Sequence, residues 1–293
     1  MKHIRIGTRG SRLALTQAEI VSEFLRKRGY DIEIIIISTT GDRLADVPVD
    51  KIPERGIFVT AIEQALLSGK IDLAVHSLKD LPAGDTPGLV IAAIPIREDP
   101  RDVLVGRTAP TIASLSPGAV VGTSSMRRRA ELLQMRPDLL IVDMRGNVDT
   151  RIRKLDEGQF DAICLAAAGL HRLGLQERIT QYFDPTELIP APGQGALALQ
   201  TRQESRDIIK ILAEIGDPAT HIATQIERQV LTSIGGGCSA PIGVHATASP
   251  EGYTILAARY SPTGKCLSRL SLKIANGTVE DIVEMVFREL SVL

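Results

Sequence analysis

Residues 6–12 read IGTRGSR, and residues 121–127 read VGTSSMR. Each stretch joins a short apolar run to a segment with helical spacing. In the first, the strand-like HIRIG (3–7) turns at TRGS, and Ser11 stands where a helix cap belongs. Apolar residues at Leu13, Ala14, Ala18, Val21 and Leu25 then share one face of a helix predicted to run to about Lys27. In the second, AVVGTSS (119–125) supplies strand and turn, and a helix is predicted over about Arg128–Met135. A further pair of matches follows, GKIDLAV (69–75) and GQFDAIC (158–164). The same order of strand, turn and helix occurring twice predicts two related α/β lobes.

The intervening segments agree with that plan. DIEIIIIST (31–39) is β-branched and strand-like, and FVTAIEQALLSG (58–69) is helical. LLIVDMRG (139–146) reads as a strand, VDTRIRKLDEG (148–158) as a helix, and FDAICLAAAGL (160–170) as a strand followed by a turn. Two Pro-rich segments, IPIREDP (94–100) and LIPAPGQG (188–195), mark crossings between lobes. A chain that leaves at the first and returns at the second inserts lobe two into lobe one, which the helix SRDIIKILAEIG (205–216) then completes. The expected division is residues 1–96 with 196–216 for lobe one, 97–195 for an arginine-rich lobe two, and 217–293 for a small α+β C-terminal domain. The fold class is therefore α/β, with two lobes and an α+β appendage.

Composition narrows the function. The chain has 293 residues, 44% of them hydrophobic and 24% charged, as in an ordinary globular protein. Aromatics make up 3%, with no Trp, so platforms for stacking single-stranded nucleic acid are not expected. A formal net charge of −1 supplies no global field for DNA or an anionic membrane. Neither an apolar leader nor a run of membrane-spanning length is evident, which predicts a cytoplasmic protein. Three cysteines, Cys164, Cys238 and Cys266, lack the spacing of a disulfide framework or a zinc site, and no metal is expected.

Anion binding must then come from local clusters. Residues 120–155 carry an excess of four positive charges, among them Arg127, Arg128, Arg145 and Arg151. Arg127 and Arg128 open a helix, where their charge opposes the positive end of the dipole and an anion would be welcome. Arg136, Arg153 and Lys154 read as solvated surface charges. Lobe one repeats the device with Arg9, Ser11 and Arg12. Neither turn follows the GxxxxGK[ST] pattern of a nucleotide loop, so a polycarboxylate competes well with a nucleotide. AVHSLKDLP places Lys79 and Asp80 just beyond the end of a buried strand, the side on which ligands bind in open α/β sheets. Asp80 there could serve as a general acid or stabilise a cation; a plain Lys-Asp surface turn is the other reading. His76 and Cys164 read as core, and Cys266 as an ordinary strand residue. Cys238 follows three glycines in SIGGGCSAPIG (233–243), either an accessible thiol or an incidental residue of a Gly-rich turn.

Together these stretches resemble the porphobilinogen deaminase (hydroxymethylbilane synthase) family. TRGSRLAL, ERGIFVTAIEQALL, DLAVHSLKDLP, REDPRD, VGTSSMRRRAEL, RPDL, RGNVDTRIRKL, DAICLAAAGLHRLGL, PAPGQGAL and GGCSAPIG occur in the family's order along essentially the whole chain. The resemblance implies two lobes like those of periplasmic binding proteins and a third domain carrying the cysteine. It implies a dipyrromethane cofactor joined by a thioether to Cys238, acting as a primer. Four porphobilinogen units are then added head to tail with loss of ammonia, and hydroxymethylbilane is released by hydrolysis. Asp80 matches the catalytic acid. Arg9, Ser11, Lys79, Thr123, Ser125, Arg127, Arg128, Arg145, Arg151 and Arg172 match the cofactor- and substrate-binding set, and Arg55 and Phe58 match a mobile loop over the cleft. The family further implies a monomer that hands its product to uroporphyrinogen III synthase. Arg12 stands where many relatives have Pro or Lys.

Three other classes compete on the residues alone. A non-catalytic two-lobed polycarboxylate-binding protein explains the repeats and arginines but not the glycine-framed Cys238. A cysteine-nucleophile enzyme needs a base near that thiol, and the first His after it is His245. Nucleic-acid binding is disfavoured by charge and by the missing aromatics.

Overall fold

The computed structural model describes residues 3–38, 59–82, 84–107, 109–235, 240–261 and 263–291. In chain order the first elements are β1 (His3–Thr8), α1 (Arg12–Arg26), β2 (Asp31–Ile36), α2 (Thr60–Leu67), β3 (Leu73–Ser77), a 3₁₀ turn (Leu78–Asp80) and β4 (Leu89–Ala93). There follow β5 (Asp102–Gly106), β6 (Val120–Gly122), α3 (Met126–Met135), β7 (Leu140–Val142), α4 (Val148–Asp156), β8 (Ala162–Ala166), α5 (Ala167–Arg172), β9 (Gln181–Tyr182) and β10 (Leu197–Arg202). The last are α6 (Arg206–Leu212), α7 (Pro218–Ser233), β11 (Ile242–Ser249), β12 (Gly252–Tyr260), β13 (Cys266–Ile274) and α8 (Val279–Ser291).

Two five-stranded sheets follow one plan. Their orders are β2-β1-β3-β10-β4 and β7-β6-β8-β5-β9. In each, three neighbouring strands are parallel, and an antiparallel strand from a crossing segment pairs beside them. Even the register repeats: Ile6 and Gly7 face Leu73 and Ala74, while Val121 and Gly122 face Ala162 and Ile163. These are the residues aligned by the two sequence matches. The glycines have the same cause in both sheets. A Cβ on Gly7 would lie 2.2 Å from Ile71 Cδ1, and one on Gly122 would lie 2.9 Å from Phe160 Cδ1. The fold is α/β, two lobes of one plan with a small α+β region after them.

Each sheet is covered on both faces, which explains its nearly continuous apolar strands. In the first, Ala18, Val21 and Leu25 of α1 pack on Ile4, Ile6, Leu73 and Leu199. Ile62, Ala65 and Leu66 of α2 cover the other face at Ile71 and Ala74. In the second, Leu132 packs on Leu104, Val121 and Cys164, and Ile152 and Leu155 pack on Val103, Val105 and Ile163. Strands β11, β12 and β13 form a separate antiparallel sheet. Two compact units result, Met1–Arg97 with Ala196–His221, and Glu98–Gly195 with Ile222–Leu293. Within the second, Ala130 of α3 joins Ile189, Leu256, Ala258 and Tyr260 in one cluster. Among the described residues, no helix is long and apolar enough to cross a membrane.

Local differences from the sequence reading have plain causes. The segment after β8 is helix α5 rather than a turn, because an alanine run favours helix once Ala167, Ala168 and Leu170 are buried. Strands β4, β5, β9 and β10 flank the Pro-rich crossings, where the prolines drew attention to the connection instead of the strand.

Candidate functional site

In the first unit, β1 and β3 are parallel neighbours, so their carboxyl ends lie side by side. Beyond β1 comes Arg9, and then Ser11, whose Oγ caps α1 by accepting the Ala14 N–H at 3.3 Å. Thr8 Oγ1 donates to the Ala14 carbonyl at 3.1 Å and tightens the same turn. Beyond β3 the chain enters the 3₁₀ turn, anchored by buried Leu78, whose N–H donates to the Ala196 carbonyl at 2.9 Å. Lys79 is half-buried there and Asp80 exposed. The Gln17 amide donates to Ser77 Oγ at 2.9 Å and ties α1 to this strand end. Arg9, Ser11, Lys79 and Asp80 therefore occupy one edge of one sheet.

The second unit builds the corresponding edge from β6, β7 and β8. Thr123 is buried, its N–H donating to the Val142 carbonyl at 3.0 Å and its Oγ1 accepting from the Ser125 N–H at 3.3 Å. Ser125 Oγ in turn accepts the Arg128 N–H at 3.3 Å, capping α3. Ser124 donates to the Met144 carbonyl at 2.6 Å and accepts its N–H at 3.1 Å, which fixes the turn against the segment after β7. Arg145 precedes α4, and Arg151 in its first turn donates from Nε to the Gly146 carbonyl at 2.8 Å. The N-termini of α3 and α4 thus follow adjacent parallel strands, and the first turn of α3 contains no acidic residue. Arg172 closes α5 and donates to the Gly195 carbonyl at 2.7 Å. Burial pushes its guanidinium down to about 10, against the opposing pull of Glu98.

The side chains of Arg127 and Arg128 turn inward. Their side chains are 4% and 8% exposed, and both meet the wholly buried Asp102 at the start of β5. Arg127 Nη1 donates to Asp102 Oδ2 and to the Ile189 carbonyl, each at 2.6 Å. Arg128 Nε donates to Asp102 Oδ1 at 2.9 Å, its Nη1 to the Cys164 carbonyl at 3.1 Å, and its Nη2 to Gln194 Oε1 at 3.4 Å. Gln194 Nε2 donates to Asp102 Oδ1 at 2.9 Å and to the Pro100 carbonyl at 2.7 Å. Burial opposes ionisation of Asp102, but the two guanidiniums outweigh it and hold the carboxyl at about 2. One carboxylate against two guanidiniums leaves a positive charge beneath a helix N-terminus, the electrostatics of an anion site.

Deeper in the unit, Glu131 of α3 accepts the Ile189 N–H at 3.2 Å and pairs with Arg269 of β13 at 3.1 Å. Its carboxyl is raised by burial, which Tyr260, Arg127 and Arg269 only partly offset. Cys164 is wholly buried and its thiol is pushed up to about 12 by burial, as befits a core residue. His76 is buried in β3 and pushed down to about 4 by desolvation. Among the described residues, no group of three or more His, Cys, Asp or Glu could hold a metal ion. Cys238, Arg55 and Phe58 lie outside the described residues.

Sequence reasoning missed Asp102, Gln194, Ser124 and Glu131. A signal existed for the first two. An aspartate opening the apolar run VLV must be paired if buried, and a doubled arginine is the strongest partner the chain offers.

Helix-capped turns with an arginine excess, on two sheets of one plan, define a two-lobed α/β protein with cationic turns at its strand ends. A family profile described as "Porphobilinogen deaminase, dipyromethane cofactor binding domain" matches residues 4–210. The porphobilinogen deaminase of Syntrophobacter fumaroxidans is 51% identical, over 83% of this chain and 79% of its own. Those of Albidiferax ferrireducens and Roseiflexus castenholzii are 48% and 46% identical, over 90% and 95% of this chain and 84% and 91% of theirs. Among solved structures, a periplasmic substrate-binding protein of an ABC transporter from Coxiella burnetii superposes with a TM-score of 0.46 at 15% identity, over 74% of this chain and 94% of that one. The chain belongs to the porphobilinogen deaminase family. Its activity is that of a hydroxymethylbilane synthase, a transferase of tetrapyrrole and heme biosynthesis that acts on porphobilinogen and works with a dipyrromethane cofactor.

Proposed function

We propose that Asp80 is the acid of this transferase and Cys238 the thiol that carries its dipyrromethane. The cofactor supplies the primer on which porphobilinogen units are joined. A thioether at Cys238 keeps that chain attached until hydrolysis releases hydroxymethylbilane. Asp80, exposed beyond β3, can hold or give a proton where the substrate amine departs as ammonia, and its carboxylate can stabilise the cation left behind.

Pyrrole units bearing carboxylates need cations, and the single observation that carries this reading is the uncompensated positive charge of Arg127 and Arg128 over Asp102 beneath the α3 N-terminus. Arg127 fits such a group. Its Nε and Nη2 have no hydrogen-bond partner among the described residues, while Nη1 is fixed from behind. Thr123 and Ser125 shape the turn, and Arg145, Arg151 and Arg172 extend the cationic edge. Arg9, Ser11 and Lys79 provide the corresponding set beside Asp80. Lobe one (1–96 with 196–216), lobe two (97–195) and a cofactor-attachment domain (217–293) are the working parts of this reading. The enzyme acts as a cytoplasmic monomer without nucleic acid or membrane, and passes its product to uroporphyrinogen III synthase.

The test is the intact mass of the purified protein beside that of Cys238→Ser. Added mass equal to two linked pyrrole units, present in the first and absent in the second, is expected. Bare polypeptide in both after incubation with porphobilinogen would overturn the assignment of Cys238.

A further inference from the structure

Asp102 touches none of the surface, yet it organises everything beneath the α3 turn. Its Oδ1 is held by Arg128 Nε at 2.9 Å and Gln194 Nε2 at 2.9 Å. Its Oδ2 meets Arg127 Nη1 at 2.6 Å. The network joins the two crossings: Asp102 opens the strand that enters lobe two, and Gln194 stands in the segment that leaves it. Arg128 has all three guanidinium nitrogens on protein acceptors. Arg127 has only one so engaged. The two arginines are neighbours in sequence with different duties. One braces the carboxylate, and the other is braced by it.

We propose that Asp102 is a positioning residue for the transferase reaction: braced by Arg128 and Gln194, it aims the remaining donors of Arg127 at a carboxylate of the pyrrole chain. This rests on the reading of Arg127 as a ligand contact. A guanidinium on a three-carbon stem has many rotamers, and fixing one end of its planar fork in advance removes that ordering cost from binding. The Ile189 carbonyl, the second acceptor of Nη1, sets the plane of the fork. The effect belongs to substrate and cofactor binding and leaves proton transfer to Asp80.

The experiment compares Asp102→Glu, Asp102→Asn and Arg127→Leu holoenzymes by kcat, KM for porphobilinogen and thermal unfolding, with the Asp102→Asn/Arg127→Leu double variant closing a cycle. Asp102→Glu keeps the charge and moves the carboxylate by one methylene. It is expected to raise KM several-fold with an unfolding midpoint close to that of the parent. Asp102→Asn is expected to lower kcat/KM on the order of 30-fold, the scale of unpairing a buried hydrogen-bonded charge. The same change made in Arg127→Leu should cost less than about threefold, because the residue through which it acts is gone. Parent-like kinetics in Arg127→Leu would remove the underlying reading of that arginine. An impaired Arg127→Leu beside parent-like Asp102 variants would overturn the positioning role alone. Additive effects in the cycle, or failure of both Asp102 variants to fold, would return Asp102 to a purely structural part and likewise overturn it.

Discussion

Asp72 and Asp161 hold the same post in two different sheets. Asp72 Oδ2 accepts the Arg5 N–H at 3.0 Å, and Asp161 Oδ2 accepts the Val120 N–H at 2.9 Å. Each returns the bond, donating its own N–H to the carbonyl of that same residue at 2.9 Å. Each also pairs with an arginine at the far end of the antiparallel strand, Arg202 at 3.4 Å and Arg107 at 3.2 Å. Only Asp72 has an additional partner, the Arg5 side chain, bound through Nε and Nη2 at 2.9 Å each. Both aspartates sit at the amino ends of their strands, away from the turns that carry the proposed site.

Stability should follow that difference. Asp72→Ala strands an N–H and two guanidiniums and is expected to cost about 2–3 kcal/mol, against about 1 kcal/mol for the more exposed Asp161→Ala. Chemical denaturation of the two variants measures this directly. Turnover per folded molecule should match the parent in both. Equal losses would mean that the Arg5 fork contributes nothing net.

Asp80→Asn should leave fold and bound cofactor intact, because the side chain is exposed on its 3₁₀ turn. Turnover should fall by roughly 10²–10⁴, the range of a positioned acid or base. Full activity in a variant of confirmed mass would take Asp80 out of the mechanism.

Acid should act on the second unit through Asp102. A carboxyl held at about 2 when folded, against an ordinary value of 3.8, stabilises the fold above about pH 4. That contribution is lost as pH falls towards 2. Glu131, raised by burial, has the opposite sign: its contribution is full below the ordinary carboxylate value and is lost as pH rises through its folded one. Unfolding free energy measured from pH 5 to pH 2 should therefore fall less steeply in Asp102→Asn, by at most about 1.4 kcal/mol per pH unit. Parallel curves would contradict the depressed value.

Gly195→Ala should damage the return crossing. Gly195 has φ +88°, and an added Cβ would lie 2.3 Å from the Glu98 carbonyl oxygen. The same glycine's carbonyl accepts from the Glu98 N–H at 3.2 Å and from Arg172 at 2.7 Å. A loss above about 2 kcal/mol is expected from strain and clash together. A fully stable variant would show that this turn relaxes freely.

What could be read in advance was whatever local sterics decide. Ser11 caps its helix where the sequence places it, because a short hydroxyl side chain before an apolar-periodic run satisfies the first free N–H groups. Gly7 and Gly122 repeat because the side chain at the same place in the second sequence match, Ile71 or Phe160, fills the space a Cβ would need. The inward turn of Arg127 and Arg128 was not readable. It depends on Asp102 and Gln194, residues far away in sequence that meet only once β5 lies beside β8. A helix-start argument treats side chains as facing solvent, and a buried carboxylate overrules it.

The position of β10 bears on how the chain comes off the ribosome. In its sheet β10 lies between β3 and β4, although it begins at Leu197 and β4 ends at Ala93. The strands of the other sheet lie between Asp102 and Tyr182, an unbroken stretch of chain. Vectorial synthesis thus completes the later sheet before the earlier one can close. Until Leu197 emerges, β3 and β4 each lack the strand that pairs between them, and the first lobe stays open with edges of the kind that invite aggregation.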